Sequence, residues 1–176
     1  SNILLDYWFL KYRSSRNREI LKNTFPYLLN IEEISPNLYS FLLMKAMVVF
    51  LFEKNPSKAL SYIKKCHTSN VDLTWKYNEA FLIAYMGNLD VAEKIYLNVF
   101  RRFPESDIVF QTEEFIYEIV EKEADKYQLW YCLALINKFT KKDDNLAKEY
   151  FLKFLERDKV EKKFPEQTKK SVAYIG

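Results

Sequence analysis

LTWKYNEAFLIAYMGNLDVAEKIYLNVFRRFPES, Leu73 to Ser106, decides the fold. It reads as two helical stretches broken at Gly87-Asn88. In the first, Trp75, Ala80, Ile83 and Ala84 recur at helical spacing and form one apolar stripe. Asn88 or Asp90 is placed to cap the second stretch. There, Ala92, Ile95, Tyr96 and Val99 share a face, and Pro104 stops the helix.

The surrounding chain agrees with a helical reading. It has 176 residues, enough for one domain with a sizeable core. Hydrophobic residues make up 49% and aromatic ones 17%, which argues against disorder. Only two glycines occur, too few for the turns of a β-sandwich or an α/β enzyme of this length. Two distant cysteines, Cys66 and Cys132, do not make a disulfide framework, so a reducing cytoplasm is the expected compartment. The most apolar run, Leu38 to Phe52, contains Lys45 and is too short to span a bilayer. No membrane association and no signal peptide are expected. The chain opens Ser-Asn without an initiator methionine, which is compatible with a piece of a longer protein and does not decide it.

The Leu73–Ser106 unit resembles the tetratricopeptide repeat. Ala80 matches that family's small first-helix residue, Gly87 its helix-ending glycine, Ala92 and Tyr96 its second-helix small and aromatic pair, and Pro104 its terminating proline. Ile83 stands where the pattern has a tyrosine. Small residues there let helices approach, and aromatics fill the space between successive pairs.

Two further units fit the pattern less closely. In residues 40–70, Asn55-Pro56 supplies a cap and a first-turn proline, Ala59 and Ile63 stand for Ala92 and Tyr96, and Lys54 holds the glycine position. In residues 127–159, Trp130, Leu133 and Ala134 reproduce the opening, and Ala147 and Phe151 the second-helix pair. One extra residue falls in the Thr140–Asp144 loop. Between these units, Asp107 to Lys122 reads as one helix, either unpaired or paired with Tyr127–Phe139. Residues 3–30 read as a further helical pair around a basic turn at Arg13, Arg16 and Arg18, its second helix short or kinked at Pro26. Residues 160–176 form a charged tail, frayed or capping the last helix. The resemblance implies an all-α, right-handed superhelical array of antiparallel helix pairs. This α-solenoid would run over residues 1–176 as one domain of about seven to nine helices.

Residues for catalysis are sparse. The single histidine, His67, adjoins Cys66 at a predicted helix end. Together they supply two ligands where zinc takes four, and no other ligands stand at the right spacing. Two glycines cannot build a phosphate loop. No metal or cofactor is expected, and the chain is read as a non-enzyme. Carboxylates do cluster: Glu105 to Asp125 holds eight acids against Lys122 alone, a net of −7. Glu114, Glu118, Glu121 and Asp125 are placed on one face, an acidic patch suited to a basic partner. From Lys138 to Gly176, eleven bases and seven acids give +4. These charges are interspersed, so a nucleic-acid surface is not expected and end-to-end packing with another copy is an option.

In tetratricopeptide arrays the first helices line a concave face that holds peptides. Carried over, the lining is Met44, Lys45 and Val48, then Tyr77, Asn78, Phe81 and Tyr85, then Gln128, Tyr131 and Leu135. Such an aromatic groove suits a hydrophobic or amphipathic protein segment. The carboxylate clamp of chaperone-binding members is absent: Asn78 fits it, but Met44, Val48, Gln128 and Cys132 do not. The expected role is a non-catalytic interaction scaffold or adaptor. Rival readings are a half-a-tetratricopeptide RNA-processing scaffold, from Ala92–Pro104 and Tyr7–Tyr12, and a regulatory module of a larger transcription or signalling protein.

Overall fold

The computed structural model describes residues 2–68, 73–102 and 106–176. Pro104, Glu105 and Asn70, which figured in the repeat boundaries, lie outside the described residues. Among those described, every element is helical: ten α-helices with short 3-10 and π turns, and no strand. That exceeds the expected seven to nine, because residues 160–176 are not a tail but contain a regular helix.

The chain divides into two compact units, Ser1–Trp75 and Lys76–Gly176. The first contains α1 (Asn2–Ser15), α2 (Phe25–Ile34), α3 (Tyr39–Phe52) and α4 (Pro56–Lys64). A 3-10 segment, Arg18–Thr24, joins α1 to α2. Pro26 sits in the first turn of α2 and does not kink it, since an N–H there would have no helical partner. The apolar run becomes α3, which packs against α4 and buries Phe41, Leu42, Val49 and Leu51. Its lysine is accommodated by pairing: Lys45 Nζ lies 2.9 Å from Glu32 Oε2 of α2. Asn55 caps α4 as expected, its side chain accepting from Lys58 N at 2.9 Å.

The helix α5 (Thr74–Tyr85) begins at the end of the first unit and runs into the second. It is followed by α6 (Leu89–Arg102), α7 (Ser106–Lys122), α8 (Gln128–Ile136), α9 (Asp144–Glu161) and α10 (Pro165–Ile175). Gly87, at φ 92°, lets the chain leave α5, and its N–H and that of Asn88 bond back to Ala84 and Ile83. Asn88 caps α6, accepting from Val91 N, whereas Asp90 turns to Gln167 of α10. The second-helix pairs read from the sequence are all core: Ala59, Ile63, Ala92, Tyr96, Ala147 and Phe151 are buried.

The helix at 107–122 is paired. Antiparallel to α8, it brings Glu113 to Asn137 at 2.8 Å and stacks Tyr117 edge-on to Trp130 at 5.7 Å. On its other side α8 packs antiparallel to α9, with Tyr131 and Trp130 against Phe151 and Tyr150. The extra residue in the Thr140–Asp144 loop is absorbed by a π turn, Asn137–Lys141, before Asp143 caps α9.

At the opposite end of α9 the chain reverses through Lys162, at φ 54°. Lys54 and Lys142 adopt the same left-handed conformation at the ends of α3 and the π turn. Lys54 therefore does by conformation what a glycine does at that place in the repeat pattern. The α9–α10 turn is held by Asp158, which is 3% exposed. Its Oδ1 accepts from Tyr127 Oη at 2.8 Å, Lys163 N at 3.0 Å and Phe164 N at 3.1 Å, and its Oδ2 from Thr168 Oγ1 at 2.6 Å. Asp158→Ala leaves these donors without their acceptor and is expected to cost about 3 kcal/mol in urea unfolding. A loss under about 1 kcal/mol would show that water replaces the carboxylate.

Candidate functional site

Ten residues are expected to line a groove, all on the first helices of their expected pairs. Seven of them, Met44, Val48, Tyr77, Phe81, Gln128, Tyr131 and Leu135, are buried, and Lys45, Asn78 and Tyr85 are partly exposed. In the second unit their contacts are with neighbouring helices. Phe81 meets Phe115 of α7 at 5.2 Å, and Tyr85 Oη donates to Glu123 at 2.6 Å. Tyr77 is 6.1 Å from Phe100 of α6. Gln128 donates to the carbonyls of Ala84 and Tyr85, which closes the end of α5. The first-helix stripe of α5 is thus covered by α6 and α7.

A polar cluster lies around α6 and α8. Glu93, 3% exposed, accepts from Tyr131 Oη at 3.0 Å and from Lys170 Nζ of α10 at 2.6 Å. The hydrogen bond that Lys170 donates to Glu93 holds its ammonium above its ordinary range against the opposing effect of desolvation. Desolvation first, then the Glu93 charge, pushes the Tyr131 phenol and the Cys132 thiol upward. Cys132 is therefore a neutral core thiol and not an activated nucleophile. Cys66 is likewise a buried thiol, its Sγ donating to Tyr62 O at 3.8 Å, while His67 Nδ1 lies 2.9 Å from Lys64 O on the surface. Among the described residues, no three of His, Cys, Asp and Glu are grouped to hold a metal ion.

A shallow pocket of about 300 Å³ opens between α9 and α10, lined by Lys138, Asp144, Lys148, Phe151 and Tyr174. Lys138 is already engaged by Asp144 and by the Tyr174 carbonyl, each at 3.4 Å.

The acidic patch divides. Glu114, Glu118 and Glu121 lie on α7, with Glu118 holding Lys122 at 2.8 Å. Asp125 falls past the helix end, in the 3-10 turn Ala124–Lys126, and pairs with Lys126 at 3.3 Å. Helix spacing puts it on the same face as the three glutamates, but α7 ends at Lys122. Seven residues apart on α7, Phe110 (53%) and Tyr117 (40%) are exposed, with Glu114 between them. Behind Tyr117 stand Trp130 of α8 and Tyr150 of α9. Spacing along the sequence does not bring Tyr117, Trp130 and Tyr150 together, because each belongs to a different helix.

Compared with known proteins, the chain matches no family model, no curated protein and no solved structure. No described helix is long and apolar enough to cross a membrane.

Phe81→Asp places a charge where Phe81 now meets aromatic rings. It is expected to lower unfolding stability by about 4 kcal/mol or more, read by denaturant titration. A second expectation concerns alkali. Desolvation, followed by the charges of Glu113 and its neighbours, pushes Tyr150 from 10.0 up to about 12. Tyr127 and Tyr131 are raised for the same first reason. The unfolded chain ionises its phenols near 10.0, so it binds fewer protons than the folded chain above that pH. The tyrosine contribution is complete below pH 10 and falls as pH rises toward about 12. Thermal melts should be flat from pH 8 to 9.5 and drop steeply above 10; a melting temperature unchanged at pH 11 would contradict this.

Proposed function

We propose that this chain is a non-catalytic scaffold that holds a segment of another protein. In this reading its helix pairs stack in the right-handed array that the tetratricopeptide resemblance implies. The partner lies along the outer side of α7. The observation that supports it is the pair Phe110 and Tyr117, open to solvent and seven residues apart on a helix whose other face is core. Spaced apolar anchors on one exposed helix face, flanked by charge, are how helical scaffolds grip a segment. The close packing of α5 to α9 holds those anchors in fixed positions, so a partner binds without ordering its receptor.

The test is affinity capture with purified wild-type chain and a Phe110→Ser/Tyr117→Ala double variant. Both side chains are exposed, so the helical circular dichroism of the variant should match wild type. A defined protein should be retained saturably by wild type and lost at least fivefold by the variant. Failure to retain any protein saturably, or equal retention by the variant, would refute the proposal.

A further inference from the structure

Three rings from three successive helices meet at the edge of the second unit, with Tyr117 exposed, Trp130 half-buried and Tyr150 buried beside them. Trp130 of α8 lies 5.4 Å from Tyr150 of α9 and 5.7 Å from Tyr117 of α7, the latter at 81°. Tyr117 and Tyr150 are 6.4 Å apart. One turn beyond Tyr150, Lys153 sets its ammonium 4.3 Å from the Trp130 centroid and 5.6 Å from that of Tyr150. Glu149 Oε1 lies 3.1 Å from the same nitrogen. A ring face carries negative potential, and tryptophan offers the strongest. This is a cation seat with an aromatic floor and a carboxylate wall, and the cation now in it is the chain's own.

The surroundings favour positive charge. Beyond burial, Glu113, Glu149 and Glu121 all act on the Tyr150 phenol in the direction of a negative field, with Glu113 itself paired to Lys141. Glu114 and Glu121 flank Tyr117 one turn to either side on α7. These acids spread over about 10 Å of helix, longer than one small cation can engage and well matched to an extended basic segment. The same charge repels phosphate groups, so a nucleic acid or an anionic membrane does not fit. Lys153 is loosely held. Its side chain is 37% exposed and that of Glu149 is 56%, and an exposed i,i+4 pair is a weak constraint.

We infer that Trp130, with Tyr117 and Tyr150, is the docking seat for a lysine or arginine side chain of a basic protein segment, and that Lys153 is the resident cation this segment displaces. The inference rests on the scaffold reading above and names the chemistry of its partner.

Fluorescein-labelled octalysine tests it by anisotropy on the whole chain in dilute buffer. Wild type should bind octalysine and not octaglutamate. Lys153→Gln empties the seat and should tighten binding about tenfold, whereas Lys159→Gln, the same charge change on an exposed lysine of α9, should change it less than twofold. Adding Trp130→Leu to Lys153→Gln should abolish the gain. If circular dichroism shows that variant unfolded, Tyr117→Ala in the same background takes its place, with the same loss expected. The inference is overturned if Lys153→Gln binds no more tightly than Lys159→Gln, or if the gain survives loss of the ring. Octalysine behaving as expected while no protein is captured would sink the scaffold reading and leave the seat. Capture of a protein with no Lys153→Gln effect on octalysine would do the reverse.

Discussion

In the second unit everything depends on keeping α8 dry. From Tyr127 to Asn137 every residue except Trp130 is buried. A nine-residue helix has no independent stability in water, so its persistence comes from burial on all sides. Leu129, Leu133, Leu135 and Ile136 are wholly buried, each contributing about 1.5–3 kcal/mol relative to exposure. That burial carries a condition: each polar atom taken inside with α8 needs a partner.

The partners come from elements spread around the helix. Gln128 bonds carbonyls at the end of α5, Tyr131 bonds Glu93 of α6, Asn137 bonds Glu113 of α7, and Tyr127 bonds Asp158 of α9. Two of the acceptor carboxylates bring their own cations, Lys170 to Glu93 and Lys141 to Glu113. Apolar packing alone would tolerate rotation or sliding of α8 by a residue; these bonds make other registers costly. The fixed register also sets the outer surface, since Trp130 is the one residue of this stretch that reaches outward between Tyr117 and Tyr150.

Much of the helical organisation was legible in the chain because it is written locally. Gly87, the Asn55-Pro56 pair and the Ala92/Tyr96 spacing each act within a few residues. The left-handed Lys54 shows that a position can keep its conformation while losing its glycine. What could not be read was the covering of one helix by another distant in sequence. The family resemblance puts Phe81 and Tyr85 in a groove lining, but their contacts with Phe115 and Glu123 arise only once α7 folds across α5. Seven of the ten residues expected to face a groove are therefore buried, while Lys45, Asn78 and Tyr85 stay partly exposed. Asp158 was equally silent: it looks like one more charge in a charged stretch, and its donors come from Tyr127 and from the turn that follows. The ring cluster escaped for the same reason, since its members share no helix.

The left-handed lysines carry a consequence of their own. Arg16, Lys54, Lys142 and Lys162 all have φ near 55°, and each ends a helical segment or turn. An L-residue there costs about 1–2 kcal/mol in backbone energy. A cation beside the exposed carbonyls of a helix end offsets part of that cost by complementing the local dipole. Glycine turns are closed by geometry alone and are indifferent to the solvent. Turns closed by charged residues are not: dissolved ions that screen the dipole loosen them. Scarcity of glycine thus makes the junctions of this chain sensitive to ionic strength, a dependence carried by its backbone conformation as much as by its surface.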